Sequence, residues 1–80
     1  MFFPLIVWSQ AGGIRGVVID QDFEVPLENV RITISETGDE LRTQSGGSFY
    51  KDGLMPGSYT LIFSANGYSR LTRPQVIVTG

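Results

Sequence analysis

Two segments of this chain alternate apolar and polar residues with a period of two, and this alternation constrains the fold most strongly. In residues 29–35 every second residue is valine or isoleucine, and in residues 58–65 every second residue is tyrosine, leucine, phenylalanine or alanine. Successive side chains of a β-strand lie on opposite faces, so each segment predicts a strand with one buried and one solvent-facing side. The buried faces must cover each other, which predicts an all-β, antiparallel β-sandwich of two sheets.

The composition and the turn residues agree with this prediction. Valine, isoleucine and threonine account for 20 of the 80 residues, and these β-branched types favour strands. Glycines and prolines recur between the short apolar runs, as in the turn dipeptide Asn66-Gly67. No stretch of about ten residues has a helical pattern, so we expect no helix. The predicted strands, about seven in all, are residues 14–20, 29–35, 40–45, 48–51, 58–65 and 75–79, the last opened by Pro74, with a short one after Gly67.

The N-terminal segment is different in character. Residues 2–8 are continuously apolar, and the small residues Ser9 and Ala11 follow them. This pattern resembles the end of a secretory signal peptide cut after Ala11, although no basic residue precedes it. Seven apolar residues are too few to span a bilayer, which requires about 20. We therefore interpret residues 1–11 as a signal-peptide remnant and residues 12–80 as one domain. The alternatives are an additional strand of the sandwich and a membrane-touching anchor.

Charge and residue types argue against several classes of function. Six basic and eight acidic residues give a net charge of −2, and the basic residues are scattered, so we expect no nucleic-acid partner. The chain contains no histidine and no cysteine, which removes the most frequent general base and the cysteine-ligated metal sites. Nothing in the sequence marks a pair of carboxylates as catalytic. We therefore predict that the chain is not an enzyme and that it binds no cofactor.

One acidic cluster is a candidate metal site. It consists of Asp20, Asp22 and Glu24, and Ca²⁺ takes about six to eight oxygen ligands. The segment lacks the glycine and the distal glutamate of an EF-hand loop. The alternative is a solvated connection after the first strand, in which Asp20 accepts hydrogen bonds from nearby backbone N–H groups.

Three aromatic residues outside the predicted core are candidates for stacking against a ligand: Phe23, Tyr50 and Tyr68. A sugar-binding platform requires that their rings are exposed on one face of the domain. Tyr50 is out of phase with Phe49, which we place in the core, and this predicts an exposed ring. Tyr68 follows a tight turn, and the alternative for this residue is a tyrosine that packs back against the sandwich.

Three sequence elements in order resemble the carboxypeptidase regulatory-like domain family. They are IRGVVID, PLENVRITI and GGSFYKDGLMPGSYTLIFSANGY, and the resemblance covers residues 14–79. Each element is weak by itself, but the set is specific. The matching residues are Ile14, Gly16, Val18, Asp20, Pro26, Leu27, Val30, Ile32, Gly47, Phe49, Leu54, Pro56, Gly57, Tyr59, Leu61, Gly67 and Tyr68.

The resemblance implies a prealbumin-type, transthyretin-like Greek-key sandwich that serves as an accessory module without an active site. Such modules occur in secreted and outer-membrane proteins, beside peptidase domains and at the N-terminus of TonB-dependent receptors. Their likeness to starch-binding sandwiches is the reason that they are also described as carbohydrate-binding. The connection DQDFEVPLENV is longer than the turn usual in the family and inserts Phe23, which resembles the N-terminal domain of some TonB-dependent receptors.

From this resemblance we expect an exported chain, in the periplasm or associated with the outer membrane. The expected partner is an envelope protein or the neighbouring domains of a larger receptor. Docking would use an exposed sheet edge, where unpaired backbone groups accept another strand, with residues 76–79 as the candidate. Carbohydrate binding is the alternative function. We expect no transmembrane span in this chain.

Overall fold

The computed structural model of the chain describes residues 5–10, 12–20 and 22–79. Among these residues the only helical element is one turn of 3-10 helix at Ser45–Gly47. No helix in this part of the chain has the length and apolar character needed to cross a membrane. The strands are β1 (Leu5–Gln10), β2 (Gly13–Val18), β3 (Arg31–Ile34), β4 (Glu40–Arg42), β5 (Ser48–Asp52), β6 (Gly57–Ser64) and β7 (Leu71–Val78).

The strands form two antiparallel sheets, which confirms the predicted sandwich. The first sheet has the order β1-β2-β5, and the second has the order β4-β3-β6-β7. The chain crosses between the sheets after β2, β4 and β5. In the second sheet Ile32 lies opposite Phe63, and Ile34 lies opposite Leu61. The two alternating segments are therefore neighbours in one sheet and present their apolar residues on one shared face, so the expectation that their buried faces cover each other from opposed layers is wrong.

The core lies between the two sheets. The rings of Phe49 on β5 and Phe63 on β6 meet edge to face, with centroids 5.8 Å apart and planes at 68°. Such a pair adds about 0.5–1.5 kcal/mol beyond the burial of its area, and this one joins the two sheets. The buried apolar residues are Ile14, Val18, Val30, Ile32, Ile34, Phe49, Leu54, Tyr59, Leu61, Phe63, Val76 and Val78.

The last strand differs from the prediction. β7 begins at Leu71, ahead of the predicted range 75–79, and Pro74 lies inside the strand rather than at its start. Tyr59 pairs with Val76 and Leu61 pairs with Arg73, so between these pairs β7 has one residue more than β6. β7 therefore contains a bulge next to Pro74, where Gln75 has a φ of 58°. Pro74 and the bulge are tolerated because β7 is the edge of its sheet, where a lost N–H breaks no ladder on the outer side. Sequence reasoning missed this because Arg73 and Pro74 interrupt the apolar pattern.

The N-terminal segment pairs with the first sheet. β1 runs antiparallel to β2, from Leu5 opposite Val18 to Gln10 opposite Gly13. This is the additional strand that we considered as an alternative to a signal-peptide remnant. Cleavage after Ala11 is a separate event and stays a prediction, and residues 1–4 and 11 lie outside the described residues.

Candidate functional site

The two ends of the sandwich differ in what they carry. At one end the N–H of Gly12 donates to the carbonyl oxygen of Thr79 over 2.9 Å. This hydrogen bond joins the residue before β2 to the residue after β7. At the opposite end three connections come together, residues 20–29, 43–47 and 65–70. We call these three connections the loop end. Binding residues lie disproportionately on connections held by a rigid scaffold, which makes the loop end the candidate site.

Asp20 organises the first connection of the loop end. This residue is buried, and its Oδ1 accepts hydrogen bonds from the backbone N–H groups of Asp22 (2.7 Å) and Phe23 (3.1 Å). Its Oδ2 accepts a hydrogen bond from the hydroxyl of Tyr68, 48 positions later in the chain. The role considered for Asp20, as an acceptor for nearby N–H groups, is thereby confirmed. One carboxylate fixes the turn that carries Phe23 and ties that turn to residues 65–70.

The same hydrogen bonds determine the protonation states of this pair. The hydroxyl of Tyr68, followed by the N–H of Phe23, holds the pKa of Asp20 below its ordinary value of 3.8. The hydrogen bond to Asp20 in turn raises the pKa of Tyr68 above 10.0. At neutral pH Asp20 is therefore ionised and Tyr68 is neutral, and both groups are engaged in holding the loop end together.

The three candidate Ca²⁺ ligands do not converge. Asp22 and Glu24 are exposed, whereas the carboxylate of Asp20 is turned onto its own backbone and Tyr68. Within the described residues, no group of three acidic, histidine or cysteine side chains is placed to hold a metal ion. The geometry favours a hydrogen-bonded turn over a cation site.

Thr43 fixes the second connection, and sequence reasoning missed this residue. It is buried, and its hydroxyl donates to the carbonyl of Leu27 (2.6 Å) while accepting from the N–H of Val30 (2.9 Å). Its backbone N–H donates to the carbonyl of Val30 (3.0 Å), and its carbonyl accepts from the N–H of Asn29 (2.8 Å). These four bonds tie residues 27–30 to the end of β4. A threonine in a weakly patterned segment gave no signal for this role.

A cavity of about 620 Å³ opens at the loop end. Its lining includes Asn29, Asn66, Arg31 and Arg42. The two arginines lie opposite each other on β3 and β4 and form ion pairs with the same oxygen of Glu40. The distance to Oε2 of Glu40 is 3.4 Å from Nε of Arg31 and 3.9 Å from Nη2 of Arg42. These groups are about half exposed, so the ion pairs contribute only about 0–1 kcal/mol each. The cavity offers hydrogen-bond donors to a polar ligand, and its lining residues include no paired nucleophile and base.

The structure separates the three candidate aromatic residues. Phe23 is 76% exposed on the turn that Asp20 fixes, and Tyr68 is half-buried beside that turn. Tyr50 is 58% exposed on β5, where it lines a shallow depression of about 330 Å³ together with Arg15 and Gly16. Phe23 and Tyr68 thus belong to the loop end, whereas Tyr50 lies on the first sheet.

Replacing Tyr68 with phenylalanine is expected to destabilise the domain in a pH-dependent way. The folded-state pKa of Asp20 is depressed, so its contribution to stability is present above pH 3.8 and is lost as the pH falls through the folded-state value. Tyr68→Phe removes the largest cause of that depression. Urea unfolding should show a clear loss of stability at pH 7 and a smaller loss at pH 2, because protonation of Asp20 as the pH falls weakens its hydrogen bond with the hydroxyl of Tyr68.

The matched control for this experiment is Tyr50→Phe, which removes an exposed hydroxyl and should leave stability unchanged at both pH values. Glu36 also contributes to the loss of stability of the wild type at low pH, because hydrogen bonds from the N–H and hydroxyl of Thr60 lower the pKa of Glu36. The contribution of Glu36 to this loss of stability should persist in Tyr68→Phe. An equal loss of stability at pH 7 and pH 2 would contradict the assigned coupling between Asp20 and Tyr68.

Comparison with known protein families gives one assignment. A family model described as the carboxypeptidase regulatory-like domain matches residues 13–80. The match contains β2 to β7 and begins after β1. A search of solved structures found no match.

Proposed function

Because the chain belongs to the carboxypeptidase regulatory-like domain family, we propose that it is a non-catalytic accessory module that docks onto another protein through its loop end. The single observation that carries this proposal is the placement of Phe23. The residue is 76% exposed, yet its backbone N–H is held by the carboxylate of the buried Asp20. An exposed aromatic ring on a fixed turn loses little conformational entropy on binding, which suits it as the anchor of an interface.

Further support for docking comes from the surroundings of Phe23. Val25, on the same connection, is 48% exposed, and the exposed carboxylates of Asp22 and Glu24 flank the ring in sequence. An aromatic anchor with charged neighbours is typical of an interface with an apolar centre and a polar rim. The partner that fits has an apolar pocket surrounded by basic residues.

The proposed context is an exported one, as the N-terminal periplasmic domain of a TonB-dependent outer-membrane receptor. The N-terminal pattern of residues 2–11 and the long connection with Phe23 support this context. In it, the partner is an envelope protein or a neighbouring domain of the receptor. N-terminal sequencing of the exported chain is expected to begin at Gly12, and an exported chain that begins at Met1 would contradict the predicted cleavage.

Carbohydrate binding is the second candidate, and the exposure of Tyr50 and Phe23 is the observation in its favour. Against it, Tyr50 lies on the first sheet, away from Phe23 and Tyr68 at the loop end, and the hydroxyl of Tyr68 is bound to Asp20. A glycan array separates the two functions. We expect no glycan to bind above background, and a reproducible hit that is lost in Tyr50→Ala would favour the sugar-binding alternative.

The docking proposal is tested by affinity capture with the chain immobilised through its C-terminus, because Thr79 lies at the opposite end from the loop end. Envelope extract from the organism that encodes the chain is passed over the wild type, Phe23→Ala and Met55→Ala. Met55 is 77% exposed and follows Leu54, which is bonded to Gly12 at that opposite end, so it is a control of equal exposure. We expect one envelope protein to bind the wild type and Met55→Ala but not Phe23→Ala. Equal capture by all three would contradict docking through Phe23.

A further inference from the structure

The first sheet contains a strand that lies outside the family unit. β1 pairs with β2 over all six residues of each strand, from Leu5 opposite Val18 to Gln10 opposite Gly13. The family match begins at residue 13, so the matched unit begins with β2 itself. In that unit β2 has only β5 as a hydrogen-bonded neighbour, and its other edge is the surface that β1 covers here.

The other sheet edges among the described residues are protected. β7 carries Pro74 and a bulge, and the carbonyl of Thr79 beyond its end is already bonded to Gly12. β4 has only three residues, two of which are the charged Glu40 and Arg42. Short length, charge, proline and bulges are the features by which sheets avoid pairing with other chains.

The edge of β5 carries charge as well. Lys51 on β5 lies 3.8 Å from the carboxylate of Asp39, which precedes β4 in the other sheet. This ion pair places a charged contact along the side where β5 and β4 lie close together. A strand added beside β5 would have to displace it.

The β2 edge has six residues, no proline and no bulge, and it carries a single charge. The sequence of β2 is GIRGVV, with no proline and with Arg15 as its one charged residue, and its register with β1 and β5 contains no bulge. A regular edge of six residues is a template for an antiparallel partner strand.

We propose that the β2 edge is a strand-acceptor site, covered by β1 in the 80-residue chain and occupied by an extended apolar segment of a partner protein once residues 1–11 are removed. The inference rests on the proposed export and cleavage of the chain. β1 itself indicates the chemistry of the occupant, because its sequence LIVWSQ is an apolar segment in extended conformation that matches the edge residue for residue. The backbone ladder supplies affinity in this mode of recognition, and alternate side chains supply specificity.

The experiment uses the 80-residue chain with β1 disrupted by the double substitution Ile6→Pro and Val7→Pro. Adjacent residues of a strand direct their N–H groups to opposite sides, so one of the two prolines removes a donor from the ladder with β2. The probe is a fluorescein-labelled peptide with the sequence of Leu5–Gln10 and a dilysine tail for solubility. The control probe carries the same two prolines.

We expect the probe to bind the disrupted variant saturably, with one peptide per chain, and at least about tenfold more tightly than the wild type, where β1 occupies the edge. The control probe should not bind, and peptide binding should slow the amide hydrogen exchange of residues 13–18. Failure of the probe to bind a variant whose circular dichroism is that of a folded β-protein would overturn the proposal. Pairing of the variant with itself, seen as a dimer in sedimentation that excludes the probe, would also overturn it.

Native-state hydrogen exchange on the unmodified chain keeps the proposal testable if the variant does not fold. The proposal requires that β2 to β7 stay folded without β1, so the amides of β1 should exchange through a lower free-energy opening than those of β3 and β6. Exchange of β1 only together with β3 and β6 would overturn the proposal. N-terminal sequencing separates the acceptor edge from the cleavage on which it rests: an exported chain that keeps Met1 contradicts the proposed cleavage, whereas failure of the probe to bind contradicts the acceptor edge.

Discussion

Phe63→Ala is expected to lower the free energy of unfolding by about 3–5 kcal/mol, the typical cost of truncating a buried phenylalanine. The ring of Phe63 is fully buried and meets Phe49 across the two sheets, so its removal leaves a cavity at the centre of the core. A chain of this length has a total stability of roughly 4–12 kcal/mol, so a large part of it is lost. Urea unfolding followed by circular dichroism measures the change.

The control for Phe63→Ala is its neighbour Ile62, which lies on the outer face of β6 and is only half-buried. We expect Ile62→Ala to cost about 1 kcal/mol, because little apolar surface is returned to water. If the two substitutions destabilise the domain equally, the two faces of β6 are wrongly assigned. The two-sheet core would then have to be revised.

Gly47→Ala is the second substitution with a large expected effect, a loss of about 2–5 kcal/mol. Gly47 has a φ of 74°, in the left-handed region that side chains rarely adopt. An added Cβ would also overlap the carbonyl oxygen of Val18 and lie 3.2 Å from the backbone nitrogen of Leu27. Those two atoms are hydrogen-bonded to each other at 2.9 Å, so the clash falls on backbone that holds the loop end.

Gly46 provides a matched control in the same turn. Its φ is 84°, and an added Cβ would meet no atom within 4 Å. Gly46→Ala should therefore lower the free energy of unfolding by only about 1–2 kcal/mol, the cost of placing an alanine in the left-handed backbone region. The difference between the two substitutions, measured by urea unfolding, isolates the close approach of Gly47 to Val18. Equal losses would contradict that approach.

Sequence reasoning recovered those parts of the fold that depend on local patterns. The period of two in residues 29–35 and 58–65 correctly placed Ile32 and Phe63 in the core and predicted the two sheets. It could not locate the bulge of β7, because a bulge breaks the period on which the prediction depends. It interpreted residues 1–11 as a signal-peptide remnant and gave a strand only as an alternative, since a short apolar run is compatible with both.

The candidate site was predictable only in part. Asp20, Phe23 and Tyr68 were singled out by residue type, but the bond between Asp20 and Tyr68 joins positions 48 residues apart and follows from the tertiary fold. Thr43 is likewise held by hydrogen bonds with Leu27 and Val30, which only the tertiary fold places beside it. These contacts are what turn three separate connections into one loop end. Local sequence carries no signal for such pairings.

The most direct test of the central claim, that the loop end is the docking surface, is site-specific photo-cross-linking in living cells. A photoreactive amino acid replaces Phe23 in one variant and Met55, of nearly equal exposure at the other end, in the second. We predict a single cross-linked envelope protein from position 23 and none from position 55. The same adduct from both positions, or an adduct from position 55 alone, would contradict docking through the loop end.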